Sequence, residues 1–120
     1  MRKAILYLRV DRNGLADPTK KLEEQEKELR EYCTKNEIEV IKVIAEVASG
    51  NDFNRPQFTS LHLAIRKSEI KADLLLFTSM DVFSENLADV LRMHHALLRF
   101  GITTKAIRDI EVVFIRTKEK

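Results

Sequence analysis

Lys3-Ala4-Ile5-Leu6-Tyr7-Leu8-Arg9 opens the chain with a short, nearly continuous apolar run. Such a run is expected of a parallel strand covered on both faces. Two further runs share its character: Glu39 to Val47, rich in Val and Ile, and Asp73 to Thr78, which contains Leu74-Leu75-Leu76-Phe77. Helical patterns separate the three. Residues 10–19 carry the turn signals Asn13-Gly14 and Asp17-Pro18. Thr19 is the expected cap of a first helix, with Leu22, Leu29, Tyr32 and Cys33 on its inner stripe and Asn36 at its stop.

Ala48 to Pro56, with Ser49-Gly50-Asn51, reads as a loop, and Pro56 suits the first turn of a second helix. Phe58, Leu61 and Ile65 form the inner side of that helix. A long helix is expected over Asn86 to Phe100, with Leu87, Val90, Leu91 and Leu98 pointing inward and Gly101 as the stop. Ile102 to Ile107 and Val112 to Ile115 are two final strands. Asp109 lies in the short connection between them, so the last strand is expected to run antiparallel. Strand and helix alternating in this way predict an α/β fold: a three-layer, mainly parallel five-stranded sheet with helices on both faces.

The 120 residues fit one domain, and 44% apolar with 33% charged residues suits a globular protein. No apolar run approaches bilayer length, and Met1-Arg2-Lys3 is not followed by a signal-peptide pattern, so a cytoplasmic protein without membrane contact is expected. Cys33 is the single cysteine, which excludes an internal disulfide and a multi-cysteine zinc site. The net charge of +2 is too small to argue for nucleic acid by itself. Its distribution says more. Residues 1–20 carry five Lys/Arg and two acids, and residues 99–120 carry six and three, while the middle holds ten Lys/Arg and fourteen acids. Basic ends can meet phosphate, although solvated basic ends are common.

Ligands of an open parallel sheet bind beyond the carboxyl ends of its strands. Here those ends are Arg9-Val10-Asp11, Glu46 to Asn54 and Ser79 to Glu85. Asp11, Glu46 and Asp81 are therefore expected on one edge, joined by Arg9 and Arg55. The competing explanation is that polar residues gather wherever strands become loops.

At these edges the sequence resembles a known family. Tyr7-Leu8-Arg9-Val10-Asp11 matches the Y-x-R-V-S that opens the catalytic domain of serine site-specific recombinases, the resolvases and invertases. Leu22-Glu23-Glu24-Gln25 is similar to the L-x-x-Q of their first helix. Ala48-Ser49-Gly50 with Asn54-Arg55-Pro56 resembles S-G … D-R-P. Asp81-Val82-Phe83-Ser84-Glu85-Asn86-Leu87-Ala88-Asp89 lies where the family has D-R-x-S-R-N-x-x-D. Order and spacing agree over residues 3–107.

The resemblance implies a resolvase-like, flavodoxin-like topology and a role in DNA recombination or integration. It implies strand cleavage and rejoining through a phosphoserine intermediate, a DNA-bound homodimer or homotetramer, and no metal or nucleotide cofactor. Arg9 and Arg55 fall on phosphate-holding positions, and Asp81 on the acid that supports them. Arg9, Arg12 and Arg55 are the cations expected to meet DNA.

The departures fall on the same positions. The nucleophile position holds Asp11 instead of Ser. The two arginines of D-R-x-S-R are Val82 and Glu85. The acid after the second strand is Glu46 instead of Asp, the Asp before Arg55 is Asn54, and the Gln usually four residues beyond the serine is Leu15. Two cations are thus replaced and two anions added. A like-charge contact at ~4 Å costs about 4 kcal/mol at an effective dielectric of 20. A scissile phosphate is repelled by such a site, and the chain is expected to be catalytically inactive. Family members also continue into a dimerising helix and a DNA-reading part. Neither is visible in the sequence, so DNA contact is expected to be weak and salt-sensitive, or to come through a true recombinase.

Two alternatives stay open. One is a protein-interaction module on the same fold, in which Phe83, Leu87 and Met93-His94-His95 face a partner; core packing of Phe83 and His94 is the plainer expectation. His94 and His95 lie about 100° apart on a helix and do not chelate one metal together. The other alternative is a magnesium-dependent phosphoryl-transfer site at Asp11, Glu46 and Asp81.

Overall fold

The computed structural model describes residues 1–11, 17–49 and 54–108. Its elements are β1 (Arg2–Val10), α1 (Pro18–Lys35), β2 (Ile38–Val47), α2 (Pro56–Arg66), β3 (Leu74–Phe77), the one-turn α3 (Met80–Phe83), α4 (Leu87–Leu98) and β4 (Thr103–Ala106). The described strands form one sheet in the order β2-β1-β3-β4, with every pairing parallel. The expected fifth strand over 112–115 and the Asp109 connection lie outside the described residues, as do Arg12, Asn13-Gly14, Leu15 and Gly50-Asn51.

β1 is central, and its alternate residues feed two separate cores. Ala4, Leu6 and Leu8 pack with Leu29 and Cys33 of α1 and with Leu74 and Leu76 of β3. Ile5 and Tyr7 pack with Phe58, Leu61 and Ile65 of α2, Phe83 of α3, and Val90 and Leu97 of α4. The unbroken apolar run is explained by this: the side chains from Ala4 to Leu8 are covered whichever way they point.

Local chemistry sets the helix ends. Asp17, not the expected Thr19, caps α1. Its carboxylate accepts from the Thr19 amide at 3.1 Å, and Pro18 fills the first helical position, where no amide partner is needed. Asn36 is the C-cap, and its side-chain amide donates to the Tyr32 carbonyl at 2.8 Å. Asn86 caps α4 by accepting from the Ala88 amide at 2.9 Å. Gly101 follows α4 at φ +77°, a left-handed turn for which glycine is suited.

The inner face of α4 differs from the sequence expectation. Val90 and Leu97 are buried as a pair seven residues apart, while Leu87, Leu91 and Leu98 are 57%, 47% and 43% exposed. Two apolar stripes run along this helix, and only the Val90–Leu97 stripe faces the sheet.

Candidate active site

In the order β2-β1-β3-β4 the chain leaves β1 toward opposite sides, so the topological switch lies between β1 and β3. The carboxyl ends of those two strands carry Arg9 and, through α3, Asp81 and Val82. The structure joins them directly. Arg9 is 5% exposed. Its Nε donates to the Val82 carbonyl at 2.5 Å, and its Nη2 to the Asp81 carbonyl at 2.6 Å. Nη1 donates to the Ala48 carbonyl at 2.7 Å and to Asp11 Oδ1 at 2.9 Å. A guanidinium has five N–H groups. The four bonds here tie the ends of β1 and β2 to α3, and Asp11 is the one anionic partner among the described residues.

Asp11 lies just past β1. Its side chain is 48% exposed, against 5% for the Arg9 that it pairs with. The carboxylate therefore lies on the solvent side of the cation.

Arg55 is 1% exposed and faces inward. Its Nη2 donates to the Ser49 carbonyl at 3.3 Å, and its Nη1 lies 3.5 Å from the Tyr7 hydroxyl. Tyr7 in turn donates to Glu46 Oε1 at 3.1 Å. Burial, opposed by Arg55 and reinforced by Glu46, pushes the Tyr7 phenol far above its usual range, so it remains protonated as that donor.

Glu46 has a structural task. Oε2 accepts from the Gln57 amide at 2.9 Å, and Oε1 from the Phe58 amide at 3.0 Å. These are early amides of α2, whose N-cap Arg55 gives no side-chain capping bond. A strand carboxylate therefore caps the neighbouring helix and meets the positive end of its dipole. Glu46 is buried by this arrangement and turned away from the solvent edge on which Asp11 and Asp81 stand.

Asp81 is exposed and accepts from the Ser79 hydroxyl. Val82 packs against the core, and Glu85 is exposed. Phe83 is fully buried, stacked on Phe77 at 5.0 Å and 11°. This contact anchors α3 and with it the Asp81 and Val82 carbonyls, two of the three that accept from Arg9. Ser84 accepts from the Asn86 amide at 3.0 Å, so the Ser84-Asn86 pair shapes the turn into α4. Asp89 lies buried in the first turn and pairs with Arg92 at 2.6 Å.

The three acids expected together do not form a cation site. Among the described residues no group of three His, Cys, Asp or Glu side chains is arranged to hold a metal ion. No described helix is long and apolar enough to cross a membrane.

A family model for "Resolvase, N terminal domain" matches residues 4–118. The chain belongs to that resolvase family. Solved structures agree on the fold of the resolvase domain. The N-terminal catalytic domain of TP901-1 integrase superposes with a TM-score of 0.78 at 21% identity, over 91% of this chain and 80% of that one. A resolvase family site-specific recombinase from Streptococcus pneumoniae gives 0.77 at 20% identity, over 92% and 74%. The C-terminal catalytic domain of ISC1926 TnpA, an IS607-like serine recombinase, gives 0.75 at 22% identity, over 88% and 70%.

Within this resolvase domain, Gln25 has a role that motif matching did not assign. Its side-chain amide pairs with both backbone groups of Arg9. The signal was present: Gln25 is a polar residue among Leu22, Leu29 and Cys33 on the inward stripe of α1.

Proposed function

We propose that this chain is a resolvase-family domain that takes part in DNA recombination without cutting DNA. It acts as a non-cleaving partner on DNA or against an active recombinase, and assembles as a homodimer or homotetramer. The observation that carries the reading is the 2.9 Å ion pair between Arg9 and Asp11. Where the family has a hydroxyl nucleophile beside a phosphate-holding cation, this chain has a carboxylate that occupies the cation. Asp11, Asp81 and Glu85 bring negative charge to the edge a phosphate would approach, and Val82 brings an alkyl group. Electrostatic stabilisation of phosphoryl transfer needs the opposite arrangement. A carboxylate nucleophile needs neighbouring cations or a metal to offset both charges, and four of the five Arg9 donors are already directed at protein oxygens.

The test is a triple variant, Asp11→Ser with Val82→Arg and Glu85→Arg, assayed for nicking of supercoiled plasmid beside the unaltered chain. The account expects nicking in the variant only. Anisotropy with a labelled duplex across a salt series tests the DNA half: affinity is expected to fall steeply with salt. Affinity that does not change with salt would remove DNA phosphate from the reading.

A further inference from the structure

Because the described strands are parallel, α2 and α4 both end at the edge where strands begin, opposite the Arg9–Asp11 pair. A line of rings reaches the surface there. Buried Phe83 meets buried Phe58 at 5.4 Å, Phe58 meets half-buried His62 at 6.3 Å, and His62 meets Phe100 edge to face at 6.5 Å. Phe100 ends the line and is 43% exposed. The edge-to-face contact covers at most one face of its ring. The turn that carries it is closed by backbone bonds: the Phe100 and Ile102 amides donate to the Leu97 carbonyl at 2.9 and 3.1 Å, and the Gly101 amide to the Leu98 carbonyl at 3.0 Å. A ring on so fixed a backbone loses little further freedom when a ligand covers it. The same edge is cationic. Residues 62–72 and 95–103 carry Arg66, Lys67, Lys71 and Arg99, all exposed, against the single acid Glu69. Among the described residues Arg9, Arg30, Arg92 and Arg108 pair with carboxylates, whereas Arg66 and Arg99 make no ion pair. The opposite edge has the reverse polarity, with Asp11, Asp81 and Glu85 exposed.

We propose that this edge binds single-stranded nucleic acid, with one base stacked on Phe100 and the neighbouring phosphates on Arg66, Lys67 and Arg99. An exposed ring among cations fits a strand whose bases are unstacked, since every base has a flat face and every link a charge. A duplex hides its base faces and offers phosphate alone. An acidic peptide offers carboxylates without a flat ring. Burial, then Arg66, lowers the His62 pKa from 6.5, so the ring beneath Phe100 is uncharged at neutral pH, and Arg66 stands near the rings. The site goes beyond the non-cleaving role and does not rest on it, because no residue of the Arg9–Asp11 site takes part.

Fluorescence anisotropy of the full chain, with a short labelled oligothymidylate and with a duplex of the same length, tests the surface. The single strand is expected to bind more tightly than the duplex. Phe100→Ala is expected to raise its Kd about tenfold, and Phe100→Trp to keep the affinity. Arg66→Gln with Arg99→Gln is expected to shallow the slope of log K against log salt by about 1.4, the share of two phosphates on a single strand. The chain has no Trp, so the emission of the Phe100→Trp chain reports on this position alone. That emission is expected to be quenched by oligothymidylate and not by polyglutamate. This readout stands even where Phe100→Ala loses stability with its packing on His62. Absence of oligothymidylate binding at low salt overturns the proposal, as does a duplex bound as tightly as the single strand. Unquenched emission in the bound Phe100→Trp chain overturns the stacking. Polyglutamate that displaces the oligothymidylate as effectively per charge also overturns it, and assigns the edge to acidic protein segments.

Discussion

Gln25 and Arg9 are joined through both backbone groups of the arginine: the glutamine Nε2 donates to the Arg9 carbonyl at 2.9 Å, and its Oε1 accepts from the Arg9 amide at 3.1 Å. β3 pairs with β1 only as far as Leu6. Beyond that point a side chain on α1 supplies what a neighbouring strand would. The end of β1 is thereby held in place, and with it Asp11. Gln25→Leu leaves an amide and a carbonyl without partners and is expected to cost about 1–3 kcal/mol. Urea unfolding monitored by circular dichroism checks it. A loss near zero would mean that the pairing does not support the strand end.

Glu46 is expected to matter for stability, not for cation binding. Glu46→Gln keeps its size but sets its NH2 against one of the two amide donors at the start of α2, at a cost of about 1–3 kcal/mol. Thermal unfolding in the presence and absence of Mg²⁺ separates the two roles: both proteins should show the same Tm with and without the ion. A magnesium-dependent rise in the unaltered chain would restore the metal reading.

Phe83 connects the aromatic core to the site. Phe83→Ala is expected to cost about 3–5 kcal/mol. It is also expected to loosen the Asp81 and Val82 carbonyls from Arg9. The readout is the Arg9 Nε–H resonance, which should lose protection from exchange well before global unfolding. Unchanged protection in the variant would mean that α3 is held by other contacts.

His94 predicts a pH dependence of stability. Burial first, and His95 second, lower its pKa from 6.5. The unfolded chain then binds more protons than the folded chain between the lowered value and 6.5, so stability rises with pH through that window and is lost as pH falls. Burial and Arg66 give His62 the same direction. A Tm series from about pH 7.5 to 5.5 should fall, and His94→Gln should shallow the fall. Equal slopes would contradict the assignment to His94.

The order of elements was legible because each has a strong local signature: apolar runs for β1 and β3, Pro56 for α2, Gly101 after α4. α3 was not, since four residues carry no periodicity. The inner face of α4 was misread because Leu87, Leu91 and Leu98 are as helical in spacing as Val90 and Leu97. Only the position of the sheet decides between the two stripes. For the site, the sequence predicts Asp11, Glu46 and Asp81 on one edge, joined by Arg9 and Arg55; in the structure Arg9 and Glu46 lie near the ends of β1 and β2, Asp11 just past β1, Asp81 within α3 and Arg55 at the N-cap of α2. The sequence did not reveal what each side chain faces. Arg9 is occupied by carbonyls from two distant segments, Ala48 and Asp81-Val82, and Glu46 by amides of a helix that starts ten residues later. Such partners are set by tertiary packing and leave no mark in local spacing.

The central claim is that the Arg9–Asp11 pair replaces the chemistry of strand cleavage. The most direct measurement is incubation of the unaltered chain with a pre-nicked duplex that traps any protein–DNA linkage, followed by denaturing electrophoresis and peptide mass spectrometry. The account predicts no adduct at any time point. A DNA 5′ end covalently attached at Asp11, or at a neighbouring residue, would contradict it.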